Sequence, residues 1–317
     1  MTERCLVTGG AGFIGSNLAR ELLARGFRVR VLDNLSTGRR ENLDDVADDV
    51  EIIEGDVRHL ATVIRAMEGV SRAFHEAAVP SVARSLAAPL ASHEANVTGT
   101  LNVLVAARGA GAERVVYASS SSVYGNAERL PVTEADRPGP ISPYAASKLA
   151  GEHYLAGFHA SYGLPTVALR YFNVFGPWQD PASEYSAVVP RFTAAALAGA
   201  PVTVYGDGEQ SRDFTFVGDV VQANLLAAEA PEAAWGRVFN VAGNERHPVN
   251  ELLARIRSLV PGVRQPEPTP APPRPGEIRD SEADITAANE VLGYRPRWSF
   301  SEGLRQTVEW FAKRRGR

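Results

Sequence analysis

The residues best suited to chemistry lie between Ser119 and Lys148. A serine run, Ser119-Ser120-Ser121-Ser122, follows the apolar stretch Val115 to Ala118, and Tyr144-Ala145-Ala146-Ser147-Lys148 closes the segment. Tyrosine and lysine four apart share one helical face. A free phenol has a pKa of about 10, too high for a base at neutral pH, and a fixed positive charge beside it lowers that value. The chain carries 33 basic residues, of which only Lys148 and Lys313 are lysine. A compact ammonium beside a phenol can do what a planar guanidinium cannot. A serine hydroxyl at the end of the preceding strand can share the proton.

These groups need a scaffold, and the N-terminal sequence supplies its first unit. Cys5 to Thr8 predicts a strand that stops at Gly9-Gly10-Ala11-Gly12-Phe13-Ile14-Gly15. Ser16 to Arg25 then reads as an amphipathic helix, and Phe27 to Leu32 as a second strand ending at Asp33. Strand, glycine turn, helix, strand and acidic residue fit one dinucleotide-binding βαβ unit. The glycines let the backbone approach a pyrophosphate on the positive end of the helix. Asp33 can accept hydrogen bonds from an adenosine ribose and would repel a 2′-phosphate, which favours NAD over NADP even with Arg39 and Arg40 nearby.

The rhythm continues with strands at Val50 to Glu54, Ala73 to Ala77, Arg114 to Ala118 and Pro165 to Leu169, and helices at Arg58 to Met67 and Leu90 to Arg108. Alternation with short links predicts an α/β fold with a doubly wound parallel sheet of the Rossmann type. The serine run then falls at the carboxyl edge, where such sheets bind ligands. Asp56 suits either an adenine contact or a helix cap, Asn96 and Asn102 either function or a polar helix face, and His75 a structural role. From Tyr171 the pattern turns aromatic and irregular, so residues 1–171 are expected to form the cofactor domain and 172–317 a smaller α/β lobe, with a strand near 237–241 returning to the sheet. Pro261 to Pro275 reads as an extended surface loop, followed by helices near Ala283 to Val291 and Ser301 to Phe311.

Composition narrows the function classes. A formal charge of -4 gives no electrostatic reason to expect nucleic acid. No apolar run reaches the roughly 18 residues of a membrane span. The single Cys5 precludes an internal disulfide and, with no signal peptide ahead of the first strand, suggests a cytoplasmic setting. The six histidines show no metal-ligand spacing, so no metal is expected.

Taken together, VTGGAGFIGS, DNLSTG, SSSSVYG, YAASK, RYFNVFGP, GDGEQSRDF and PRPGE resemble the extended short-chain dehydrogenase/reductase family and, within it, the NAD-dependent nucleotide-sugar epimerases that act on UDP-hexoses. The resemblance spans nearly the whole chain. It implies Gly9, Gly12 and Gly15 at the NAD pyrophosphate and Asp33 on the adenosine ribose, with Phe13, Ile14 and Asn34 also at the cofactor. It implies Asp56 and Val57 near adenine, and Ala77, Asn96, Tyr144 and Lys148 along the rest of the cofactor. Tyr144 would be the base, Lys148 would hold the nicotinamide ribose and depress the tyrosine pKa, and Ser120 would be the hydroxyl partner. For the UDP-sugar the resemblance implies Ser120, Ser121, Ser122, Tyr144, Asn173, Val189, Arg191, Tyr205, Arg212, Arg274, Glu277 and Ser281, with Asn173, Arg212 and Arg274 on the diphosphate.

The implied reaction is redox-neutral 4-epimerisation through a 4-keto sugar with tightly held NAD. A 4,6-dehydratase shares the first half-reaction but needs an acidic pair where this chain has Ser121 and Ser122. Epimerisation or decarboxylation of a UDP-uronate remains open, as does an NAD-sensing protein without catalysis, which the intact Tyr144 and Lys148 disfavour. Ser281 stands where epimerases restricted to UDP-glucose and UDP-galactose tend to carry a large aromatic, so N-acetylated hexoses are expected as well unless Ser281 faces solvent. The resemblance also implies a homodimer through the helices near Leu90 to Arg108 and Tyr144 to Tyr162.

Overall fold

The computed structural model describes residues 3–181, 187–273 and 278–315. Its frame is built from β1 (Arg4–Thr8), α1 (Phe13–Ala24), β2 (Arg28–Asp33), β3 (Val50–Glu54), α2 (Leu60–Met67) and β4 (Arg72–His75). Two short helices follow, α3 (Val82–Ala87) and α4 (Pro89–His93), then α5 (Gly99–Ala110), β5 (Arg114–Ser120), α6 (Pro143–Tyr162) and β6 (Thr166–Tyr171). The predicted helix from Leu90 to Arg108 is therefore not one regular helix. A π-helical turn over Glu94–Thr98 joins α4 to α5, adding a residue to one turn and shifting the faces on either side of it.

The second half contributes β7 (Val174–Phe175), α7 (Val188–Ala198), β8 (Thr203–Tyr205), β9 (Ser211–Asp213), β10 (Thr215–Phe216), α8 (Val217–Ala228) and β11 (Arg237–Val241). It ends with β12 (Arg246–Pro248), α9 (Val249–Ser258), β13 (Thr269–Ala271), β14 (Asp280–Ser281), α10 (Thr286–Leu292) and α11 (Phe300–Arg315). Seven strands form one parallel sheet in the order β11-β6-β5-β4-β1-β2-β3, the doubly wound α/β fold. Strand order reverses between β1 and β4, so their carboxyl ends open the crevice expected at such a switch point. β5 and β6 are buried along nearly their whole length, as strands covered on both faces must be.

A second apolar core, with Phe175, Phe192, Phe214, Phe216, Leu252 and Phe300, forms under the small strands of the second half. There β9 lies between β12 and β14. Asp213 ties this region back to the sheet: buried, it accepts from the Gly243 and Ala283 amides at 2.9 and 3.3 Å. Burial raises the Asp213 pKa to about 7 against those two hydrogen bonds.

Helix α6 holds the tyrosine and the lysine. Ser142 caps it by accepting from the Ala145 amide at 3.1 Å, Pro143 begins it, and Gly163 ends it in the left-handed conformation. The helix lies hard against the sheet because Gly151 packs on Tyr117, where a Cβ would fall 2.3 Å from the phenol oxygen. The next residue, Glu152, locks the contact. Its carboxylate takes a bidentate pair from Arg170 at 2.9 and 2.7 Å and a hydrogen bond from the Ser119 hydroxyl at 2.5 Å, all of it buried.

Candidate active site

The turn between β1 and α1 begins the site. Gly9 takes φ +69°, and a Cβ there would lie 2.7 Å from the Ala77 backbone, so both conformation and packing call for glycine. Gly12 precedes α1 in extended conformation, and no side chain caps the helix. Its first amides therefore face the cleft as donors for an anion. At the end of β2, Asp33 accepts from the Ala11 amide at 2.9 Å and from the Leu35 amide at 2.8 Å. Burial raises its pKa, and these two bonds oppose the rise. Asn34 donates to Asp56 at 2.7 Å. Arg58, which the sequence did not flag, grips the same carboxylate with contacts of 2.7 to 3.0 Å and holds Asp56 well below the usual carboxylate range.

These groups open into a cleft of about 740 Å³. Its walls carry Gly9, Gly12, Phe13, Ile14, Gly15, Asp33, Asn34, Asp56, Val57, Ala77, Tyr144 and Lys148 together. Asn96 is the exception among the expected cofactor residues. It is buried behind the wall, where it accepts from the Val79 amide at 2.8 Å and donates to the Ser147 hydroxyl at 2.9 Å. The π-helical turn places Ala95 in the wall and leaves Asn96 to pin the loop after β4 to α6.

At the far end, the Lys148 ammonium donates to the Ala118 carbonyl at 2.8 Å and lies 6.0 Å from the Tyr144 ring. Burial lowers the Lys148 pKa to about 8 while Glu76 and Glu152 hold it up. The Tyr144 pKa stands above its ordinary value. Burial raises the phenol, and the counteracting interaction is the Ser120 hydrogen bond. The ammonium is turned to the strand carbonyl, so desolvation dominates. Ser120 also accepts from the Ser122 hydroxyl at 3.0 Å. His75 is a core histidine, 2.7 Å from the Thr8 hydroxyl and 3.0 Å from that of Thr100, with a pKa lowered to about 3 chiefly by burial.

The expected substrate residues are more scattered. Asn173 and Ser281 do meet, the Asn173 amide donating to the Ser281 hydroxyl at 3.0 Å, so Ser281 is half-buried and partnered instead of facing solvent. Arg212 donates to the Ser211 and Arg279 carbonyls at 2.9 and 2.7 Å. Val189 is buried in the second apolar core, and Val189, Arg191, Tyr205 and Arg212 are absent from the walls of the cleft because their elements pack around that core. Arg274 and Glu277 lie outside the described residues. Sequence reasoning missed Glu76 and Tyr171, both in the cleft wall, and Asp180, which pairs with Arg39 at 2.7 Å across the two halves. A carboxylate next to Ala77 at a strand end was the available signal for Glu76.

Residues 5–242 match the NAD dependent epimerase/dehydratase family. The chain belongs to that family. It is 42% identical over 97% of its length to a UDP-glucose 4-epimerase of Mycolicibacterium smegmatis, 98% of which is covered. A UDP-glucose 4-epimerase from Thermus thermophilus, solved with NAD, superposes with a TM-score of 0.88 at 43% identity, covering 97% of this chain and 98% of that one. A UDP-N-acetylglucosamine 4-epimerase from Methanobrevibacter ruminantium, in complex with UDP-N-acetylmuramic acid, gives 0.92 at 39% identity, covering 99% and 100%. The cofactor of the family is NAD, and the glycine turn, the uncapped α1 terminus and the buried Asp33 carboxylate fit it. Among the described residues no helix is long and apolar enough to cross a membrane.

Proposed function

We propose that this chain is an NAD-dependent 4-epimerase of UDP-sugars, acting on UDP-glucose and UDP-galactose and on their N-acetylated counterparts through a 4-keto intermediate. The observation that carries the reading is the convergence of Tyr144, Lys148 and Ser120 at the carboxyl end of β5, with Tyr144 and Lys148 in the wall of one cleft with the glycine turn. Residues 1–171 with β11 would hold the cofactor, and residues 172–317 would supply the sugar lobe.

The glycine turn, Asp33 and Lys148 would hold NAD, which would supply a reversible hydride acceptor for C4. Tyr144 takes the 4-hydroxyl proton and gives it back to the 4-keto oxygen on the reverse step. Ser120, hydrogen-bonded to the phenol, stabilises its ionised form, and Lys148 adds positive charge within the same buried volume. Ser121 and Ser122 carry no acid or base for elimination of water, which separates this reading from a dehydratase.

Ser281 supports the N-acetylated substrates. Serine, held there by Asn173, has a much smaller side chain than a tyrosine at the same position would have. Proton NMR of products from UDP-glucose, UDP-N-acetylglucosamine and UDP-glucuronate, each incubated separately, should show the C4 epimers of the first two. A 4-keto-6-deoxy sugar or a pentose would overturn the reaction. Ser281→Tyr should abolish turnover of UDP-N-acetylglucosamine while sparing UDP-glucose, and equal loss of both would remove Ser281 from specificity.

A homodimer through α5 and α6 belongs to the same proposal. Val105 and Tyr154 expose apolar surface on these helices, as do Tyr162 and the nearby Leu90. Light scattering that finds a monomer would dismiss it.

A further inference from the structure

Glu76 follows β4 directly and stands in the wall of the cleft with Lys148 and Tyr144. Its amide is fixed by the Thr8 carbonyl at 3.1 Å. Its carboxylate accepts from the Tyr171 hydroxyl at 2.8 Å, and that hydroxyl accepts from the Asn224 amide at 2.8 Å. Three elements, β4, β6 and α8, thus converge to hold one acidic group in a partly enclosed place. Burying a carboxylate is costly unless it is compensated, and the Tyr171 hydroxyl supplies one such hydrogen bond.

We propose that Glu76 is a positioning residue whose carboxylate, held by Tyr171 and Asn224, keeps Lys148 in its ammonium form. The inference rests on the role given to Lys148 above. Burial drives both groups toward neutrality, Glu76 up to about 7 and Lys148 down to about 8, and each opposes the other's shift. Each group therefore favours the charged form of the other.

The other groups around Glu76 leave it this task. From β4, His75 is neutral and bonded to Thr8 and Thr100. On α6, Glu152 also supports Lys148, but its carboxylate is saturated by Arg170 of β6 and by Ser119. Tyr144, whose pKa burial raises, lines the same cleft. On β5, the Tyr117 ring lies 5.0 Å from the ammonium and stays protonated. Arg20 of α1 is turned to Asp45.

The chain suits a direct test because Lys148 and Lys313 are its only lysines. Full-length protein labelled with carbon-13 at lysine Cε and saturated with NAD should give two titrating signals, with Lys313 as the internal reference. In Glu76→Gln the Lys148 midpoint should fall by roughly one pH unit while Lys313 stays in place. The alkaline limb of kcat/KM should move down with it, so that activity at pH 8 drops about five-fold for a one-unit shift. Tyr171→Phe, which removes the donor to Glu76, should lower the Lys148 midpoint in the same direction by less, and it serves if Glu76→Gln does not fold. An unchanged Lys148 midpoint in the folded variants overturns the proposal. A protein that shows the lysine shift but no epimerase product would retain this inference and reject the proposed reaction.

Discussion

The two walls of the cleft are built on different principles. On the sheet side, Glu76 pairs with Tyr171 and Lys148 with the Ala118 carbonyl in the wall itself, and Glu152 pairs with Arg170 in the buried layer that supports it. Where the second half reaches across, the contacts are less buried. Arg39 and Asp180 retain about half and a third of their side-chain exposure, and the Arg20 guanidinium lies 4.0 Å over the Trp178 ring. Rigid placement on one side suits proton and hydride transfer, which tolerate little misplacement. Looser contacts on the other would suit, under the proposed mechanism, a sugar that turns over between two half-reactions.

The comparison can be broken by removing one member from each wall. Tyr144→Phe should show the largest effect, a loss of kcat of roughly 10²–10⁴-fold with NAD retained, measured by product NMR and by absorbance of the bound cofactor. Retained activity would dismiss the phenol as the base. Glu152→Gln comes next. It leaves Arg170 charged and buried without its partner, so urea unfolding should show about 3–5 kcal/mol of lost stability. A loss under about 1 kcal/mol would mean that the sheet-side pairs are no firmer than surface ones.

The smallest effect is expected on the opposite wall. Asp180→Asn breaks an exposed pair and should cost less than about 1 kcal/mol, and the difference from the parent should vanish at high salt. NAD release, followed by stopped-flow fluorescence, should quicken only a few-fold for such a change. A much larger acceleration would mean that the contact between the halves, not the sheet-side wall, controls the cofactor.

Much of the sheet side is legible in residue types and their spacing. Gly9, Gly12 and Gly15 announce themselves because a tight turn and close backbone approach exclude other residues, and Asp33 follows at the spacing of a βαβ unit. Tyr144 and Lys148 stand out because helical spacing puts them on one face. The place of Asn96 behind the wall was not legible, because no residue pattern announces a π-helical turn. The burial of Val189 in the second core was not legible either, because it depends on contacts between distant elements.

Residue order alone therefore set the α/β fold class, the dinucleotide unit and the Tyr144–Lys148 pair, since each depends on short-range geometry that residue types impose. The electrostatics came from tertiary packing. Glu76 and Lys148 are 72 positions apart by number, and nothing local predicts that β4 and α6 bring their charges into one cleft. Ser281 and Asn173 meet because β14 pairs with β9. Burial depth, which pushes Tyr144 up and Lys148 down, belongs to the packed whole, because desolvation is a sum over everything that surrounds a group.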